Sequence, residues 1–250
     1  MNVSLYQAAS ALNANSQWLD VISENLGSTS VRGFRKQSLS TDAVQAGLVP
    51  TGSANSGAPQ FFALPEPDIK TSFQPGQMDY TGDDKNAGIV GNGFFQVKLP
   101  NGATAVTRDG EFAVNLKGQL TTKEGYLVQS KSGSPIQLDI HSQTPISISA
   151  DGQVSQGEAT RGSLDLVDYE NPQLLTPTNG VYFLADNPAL VSKPMTGTVQ
   201  QGCVESSNAN SMAEMASMMT AMRTFEANQH VIQIQDERLG KVISDLGGTA

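Results

Sequence analysis

Few side chains in this sequence are of types that do chemistry, and fewer are spaced to do it together. The two histidines, His141 and His230, lie far apart, and neither stands at a metal-ligand spacing. Cys203 is the only cysteine. It has no histidine at a spacing that would make a thiolate nucleophile, so a small buried residue is its simplest reading. No Gly-x-Ser-x-Gly elbow occurs. The run Gly88-Ile89-Val90-Gly91-Asn92-Gly93 has the look of a phosphate loop. Such a loop must open a helix whose N-terminus meets the phosphate, and here Gly93 leads into the strand-like Phe94-Phe95-Gln96-Val97. Asp83-Asp84 are adjacent carboxylates in a turn, a pattern that water satisfies. Asp109, Glu111 and Asp151 could act on a polysaccharide if the fold brought two of them together. An enzyme on cell-wall polymer therefore stands as one rival reading. The expectation is no catalytic residue, no cofactor and no metal.

Composition points away from other classes. The chain has 250 residues, and apolar types make up 38% of it, below the usual globular share. That suits an elongated molecule, or one that buries surface only with partners. The net charge is -9, which disfavours nucleic acid and anionic lipid, whose phosphates demand lysine and arginine clusters. Charged residues are only 16%, too few for a disordered polyelectrolyte. A single cysteine allows no intramolecular disulfide. The start lacks a cleaved secretion signal: it has no basic first segment, and Gln7, Asn13, Asn15, Ser16 and Gln17 interrupt any apolar core. No stretch approaches the ~18 apolar residues of a membrane span.

The elements that remain to be placed are two helices and a β-rich middle. Ser4 and Gln7 read as a capping box. Leu5, Leu12, Leu19 and Leu26 then recur every seven residues, with Ala8 and Ile22 between them and Asn15 as the polar exception. A period near 3.5 is the coiled-coil pattern, and Gly27 is a helix stop. The other end repeats the design. Ser211 and Glu214 form a second capping box. Met218, Phe225, Ile232, Leu239 and Leu246 make one row, and Met215, Met222 and Ile243 the other, with Gln229 and Asp236 interrupting. Gly247 and Gly248 end that helix. Either helix could pack on its own domain, but two matched helices at opposite ends can pair with each other.

From Val49 to Gly76 five prolines and three glycines predict an irregular, extended connector, in which Phe61-Phe62 docks on a neighbour. Short strand-like runs follow: Phe94 to Leu99, Ala103 to Thr107, Phe112 to Val114, Tyr126 to Gln129, Ile136 to Leu138, Ile146 to Ile148 and Leu164 to Val167. Gly-containing turns, among them Asp151-Gly152 and Asn179-Gly180, separate them. This spacing predicts an antiparallel sandwich or partly open barrel. The expected class is α+β, with coiled-coil-forming helices at the N- and C-termini flanking a central antiparallel β-rich domain. The expected divisions are 1–36 for the N-terminal helix and its turn, 37–75 for the connector, 76–202 for a β-domain able to stand alone, and 203–250 for the C-terminal helix.

The segment from Glu24 to Lys36, Glu-Asn-Leu-Gly-Ser-Thr-Ser-Val-Arg-Gly-Phe-Arg-Lys, resembles the signature of bacterial flagellar rod and hook proteins. That signature has an Asn-Leu-Ala-Asn core and a Gly-Phe-Lys-like ending. Asn25, Leu26, Gly33 and Phe34 carry the match, while Gly27 and Ser28 depart from it. Gly91 to Val97 with Thr107 to Phe112 resembles the family's β-domain, and Gly118 to Thr121 through Gly125-Tyr126 continues the likeness. Glu205 to Asn208 and Arg223 to Asn228 are similar to its C-terminal part. Hook subunits are usually much longer in the middle, so length favours a rod subunit. The short segment after Phe34 resembles the proximal rod type more than the distal.

The resemblance implies a structural, non-enzymatic subunit of the basal-body rod, exported through the flagellum's own channel without a cleaved signal. It would polymerise with itself and with other axial proteins into a torque-transmitting shaft across the periplasm. The export apparatus would be a further partner. The assembly seam would be Leu5, Leu12, Leu19, Ile22 and Leu26 on the first helix. On the second it would be Met215, Met218, Met222, Phe225, Ile232, Leu239, Ile243 and Leu246. An assembly factor such as a cap, using the same helices, is a second rival.

Overall fold

Apolar heptad rows bounded by glycine produce a long helix at each end of the chain. The computed structural model describes residues 3–49, 60–142, 144–178 and 180–247, with side chains described for residues 8–40, 68–238, 240, 241 and 244 within those ranges. Helix α1 runs Val3–Gly27 and helix α2 runs Ser211–Gly247, about 37 and 55 Å at ~1.5 Å per residue. Gly27 is the last residue of α1, but it keeps a negative φ, so the helix ends there without the left-handed glycine cap. The side chains of the expected Ser4–Gln7 capping box, and that of Leu5, lie outside the described residues. The antiparallel strands between the helices complete an α+β fold.

The chain forms two compact units. The first holds α1, α2 and a hairpin of β1 (Gln37–Val49) and β2 (Gln60–Thr71), paired as a two-stranded sheet. The irregular connector expected from Val49 is therefore corrected: the segment from Gln60 onward is a strand. Pro65 and Pro67 are tolerated within β2 because every strand of a two-stranded sheet has an edge whose N–H groups need no ladder partner. The side chains of Phe61 and Phe62 lie outside the described residues.

The second unit comprises Gly27–Lys36 and Thr71–Asn210. The turn after α1, expected to belong with the helix, thus groups with the strands, and so does Cys203–Asn210. Strands β3 (Met78–Tyr80), β4 (Ala87–Val90), β5 (Phe94–Lys98), β6 (Thr104–Thr107), β7 (Phe112–Val114), β8 (Leu120–Thr122) and β9 (Leu127–Val128) lead the series. A nine-stranded antiparallel sheet runs Thr176–Pro177, Tyr182–Leu184, β6, β5, β9, β8, β7, with Leu166–Tyr169 and Ser192–Pro194 attached through β5. A three-stranded sheet spans Ile146–Ile148, Gln153–Gln156 and Ala159–Ser163. Asp151-Gly152 turns between its first two strands, as expected, and Gly152 takes φ +79°. Ile136 to Leu138 forms only an isolated bridge, Gln119 to Gln137.

Two late strands return to early ones: Thr198–Gln201 pairs β4, and Cys203–Glu205 pairs β3. Alternate residues of the strands fill one core, including Ala87, Ile89, Phe95, Val97, Leu120 and Val154. Phe34 from the turn after α1 joins that core at 1% exposure. A smaller aromatic cluster joins Phe94, Tyr169 and Phe183, with Phe73 edge-on to Phe94 at 5.9 Å between centroids.

Candidate functional site

Seven-residue periodicity turns one edge of α1 inward, but the leucine row is not its centre. Ala14, Val21 and Ile22 are buried, together with the polar Asn15 and Asn25, while Leu12, Leu19 and Leu26 are only half-buried beside them. The asparagines make the specific contacts. Asn15 Nδ2 donates to the carbonyl of Ala221 in α2 at 3.1 Å, where the small Ala221 is fully buried. Asn25 Nδ2 donates to the Gln37 carbonyl at 2.7 Å, and its Oδ1 accepts from the Gln37 N–H at 2.9 Å. The amide thus substitutes for a strand neighbour at the start of β1, which only a side chain with both a donor and an acceptor can do. The same Nδ2 lies 3.4 Å from Glu214 Oε2 on α2, so the Glu214 carboxylate, expected in a capping box, is buried against α1.

On α2 the inward edge follows Glu214, Met218, Ala221, Phe225, Asn228 and Ile232, all buried or half-buried. This alternates four and three residues, the spacing of a helix seam. The expected row of Met218, Phe225 and Ile232 lies on it. Met215 and Met222 do not: both are exposed, and the second row is Glu214, Ala221 and Asn228. The inward row within the chain thus falls one residue before Met215 and Met222 and leaves those two side chains uncovered. The side chains of Leu239, Ile243 and Leu246 lie outside the described residues.

In the β-rich unit the turn after α1 is held by a buried ionic hub. Glu205, 1% exposed, accepts from Arg35 Nη2 at 2.7 Å, from Arg108 Nη1 at 3.1 Å and from the Gly76 N–H at 2.7 Å. Arg35 Nη1 donates to the Gln74 carbonyl. Arg108 also donates to the Ile89 and Gly91 carbonyls and stacks over Phe94 at 5.4 Å. Burial lowers its pKa to about 10, against the attraction of Glu205. Asn208 adds a second clamp: its Oδ1 accepts from the Lys36 N–H at 2.6 Å, and its Nδ2 donates to the Ser72 and Gln74 carbonyls. Arg32 binds Asp79 and Ser206.

Gly33 is required at the centre of this turn. Its φ is +68°, its N–H donates to the Glu205 carbonyl at 2.8 Å, and a Cβ there would stand 2.4 Å from the Asp109 nitrogen. Of the carboxylates considered for catalysis, Asp109 and Glu111 are held by partners and Asp151 lies apart from them. Asp109 is buried, its Oδ1 accepts from the Glu111 N–H at 3.0 Å, and burial pushes its pKa up to about 7. Glu111 faces Lys123 at 3.3 Å and Arg32 at 3.8 Å. Asp151 sits in the exposed turn of the three-stranded sheet. Arg35, Arg108 and Glu205 were not singled out individually from the sequence, whereas Asn15 stood out as the polar exception in the heptad row of α1. A charged residue that appears in an otherwise apolar or turn segment was the available signal for the first three.

Among the described residues no group of three or more His, Cys, Asp or Glu is disposed to hold a metal ion, and no helix is long and apolar enough to cross a membrane. Cys203 is buried and free. The site is a set of structural joints.

Comparison with known proteins agrees with that character. A family model described as the flagellar hook protein FlgE/F/G D1 domain matches residues 88–156, and one described as the flagellar basal body rod FlgEFG protein C-terminal matches residues 200–246. The chain is 31% identical to the flagellar basal-body rod protein FlgG of Buchnera aphidicola subsp. Baizongia pistaciae, over 96% of this chain and 98% of that one. It is 29% identical to the basal-body rod protein FlgF of Caulobacter vibrioides, over 97% and 100% of the two chains. It is 28% identical to FlgF of Mesorhizobium japonicum, over 99% of each. With 31% identity to a basal-body rod protein over nearly the whole of both chains, this chain belongs to the flagellar basal-body rod protein family.

Proposed function

We propose that this protein is a structural subunit of the flagellar basal-body rod that polymerises through α1 and α2 into a torque-transmitting shaft and catalyses no reaction. The observation that carries this reading is the state of the helix edges. Leu12, Leu19, Leu26, Met218, Phe225 and Ile232 are only half-buried, and Met215 and Met222 are exposed. A helix of 37 residues with that much uncovered apolar surface gains stability from further helices. Neighbouring subunits supply them, and the terminal helices continue as a coiled-coil-like seam. The β-rich unit serves as a rigid body, since the Glu205 hub and the Asn208 clamp leave the turn after α1 little freedom.

Several features suit this role. The buried polar groups named above are spent on holding segments together, which is what a load-bearing shaft asks of them. The partners are other copies of the chain and the neighbouring axial proteins, and export runs through the flagellar channel. The brevity of the 37–75 segment, one hairpin, supports a proximal place in the rod. Electron microscopy of isolated basal bodies carrying the tagged chain tests the reading. The label should lie on the rod within the envelope; a label on the outer tip, or none in basal bodies from assembling cells, would overturn it.

A further inference from the structure

Two apolar features of the helix–hairpin unit take no part in the contacts described so far. One is a face of α2 on which Met215, Met219 and Met222 are 48, 58 and 50% exposed. Their spacing of four and three residues aligns them in one stripe. Scattered exposed methionines would need no explanation; three in register do. The other is a groove of about 480 Å³ with Ala11, Ala14, Trp18 and Leu39 along one side and Thr224 and Asn228 of α2 along the other. At 3.6 residues per turn, Thr224 and Asn228 lie roughly 170° around α2 from the methionine stripe. The stripe and the groove therefore occupy opposite sides of one helix.

From this geometry we infer that a second copy of this chain seats its Met215–Met219–Met222 stripe in the groove formed by Ala11, Ala14, Trp18 and Leu39. The inference rests on the rod reading and deepens it by naming the two surfaces that meet. Because the stripe and the groove face opposite ways, two copies cannot fill each other's grooves at once, so the contact is heterologous. A pair of copies joined this way leaves one stripe and one groove unfilled, and each added copy does the same. A closed two-fold pair would need stripe against stripe, or stripe and groove on one face, and the second is ruled out by their placement on opposite sides of α2. The chemistry matches as well. The alanines leave room for an incoming side chain, and unbranched, polarisable methionine fills irregular space and favours an aromatic wall such as Trp18.

Cysteine cross-linking in the assembled rod tests this. Full-length chains carrying Met219→Cys and Ala11→Cys are co-expressed in cells of the native host, and isolated basal bodies are oxidised. Cys203 is buried, and the unmutated chain controls for it. The expected result is a cross-linked dimer from the mixed cells at more than tenfold the yield from either variant alone. Met222→Cys with Asn228→Cys forms a second pair should the first fail to assemble. Rods that contain both variants of each pair and give no cross-link overturn the contact while leaving the rod reading intact. Equal cross-linking by Met219→Cys alone would mean that stripe meets stripe, and a cross-link to a different axial protein would mean another occupant; either overturns the inference. Absence of the unmutated chain from basal bodies overturns both readings.

Discussion

Glu205→Gln removes one negative charge from between two buried cations and changes almost nothing else. The Arg35, Glu205 and Arg108 side chains are 1, 1 and 4% exposed, with N–O distances of 2.7 and 3.1 Å. A glutamine can keep its Oε1 on Arg35 and on the Gly76 N–H. Its amide nitrogen then faces the Arg108 guanidinium, donor against donor. Breaking a buried pair by neutralising one partner costs about 3–5 kcal/mol, because the remaining charge has lost both water and counterion. With a urea slope of about 2 kcal/mol per molar, typical of small proteins, the midpoint of the β-rich unit should fall by roughly 2 M. The control is Lys85→Gln, which breaks an ion pair with Asp83 whose side chains are 43 and 49% exposed; exposed pairs contribute about 0–1 kcal/mol. The assay is urea unfolding followed by circular dichroism in the β region. An unchanged slope with a midpoint loss no larger than that of Lys85→Gln would refute the claim that the hub holds the turn after α1 in place.

Further outcomes follow from the same structure. Asp109 has its pKa raised to about 7 by burial, so between about pH 4 and 7 the folded chain holds a proton that the unfolded chain has released. Its contribution to stability is complete at pH 4 and below and is lost as the pH rises through 7. Asp109→Asn, which keeps the Oδ1 acceptor, should match the parent at pH 4 and exceed it at pH 8 by up to about 4 kcal/mol; urea melts at both values decide, and equal stability at pH 8 would sink the argument. Asn25→Ala strips the Gln37 N–H and carbonyl of their partners, a cost of about 1–3 kcal/mol for groups left unsatisfied. Hydrogen exchange at the Gln37 amide should accelerate at least tenfold, and unchanged protection would show that another group holds β1. A fragment of residues 71–210 should melt well above one of residues 76–202. The shorter piece lacks Glu205 for Arg108, Phe73 for the aromatic cluster and the strand that pairs β3; equal melting temperatures would contradict that accounting.

The helices and most of the strands were legible because local pattern sets them. A seven-residue apolar period closed by glycine specifies α1 and α2 wherever they pack, and short alternating runs between Gly turns specify β5, β6 and β7. The turn signature marked Asn25, Gly33 and Phe34 as special residues. What each does was decided by residues far along the chain. Asn25 stands in for a strand because β1 starts beside it, Gly33 is required because the Asp109 backbone passes 2.4 Å from where its Cβ would be, and Phe34 enters a core built by strands from β4 onward. The β1–β2 hairpin was missed because prolines suggest irregular chain when the edge that tolerates them is out of view. The second inward row of α2, one residue before Met215 and Met222, was out of view for a related reason. Hydrophobic period reveals that a helix has an inward face, but the partner chooses which face. Here close approach selected the small Ala221 and the hydrogen-bonding Asn15 and Glu214, and turned Met215 and Met222 outward. The Arg35–Glu205–Arg108 hub joins residues separated by up to 170 positions. Sequence carries the charges of such a cluster, but only tertiary packing brings them within bonding distance and removes the water that would have weakened them.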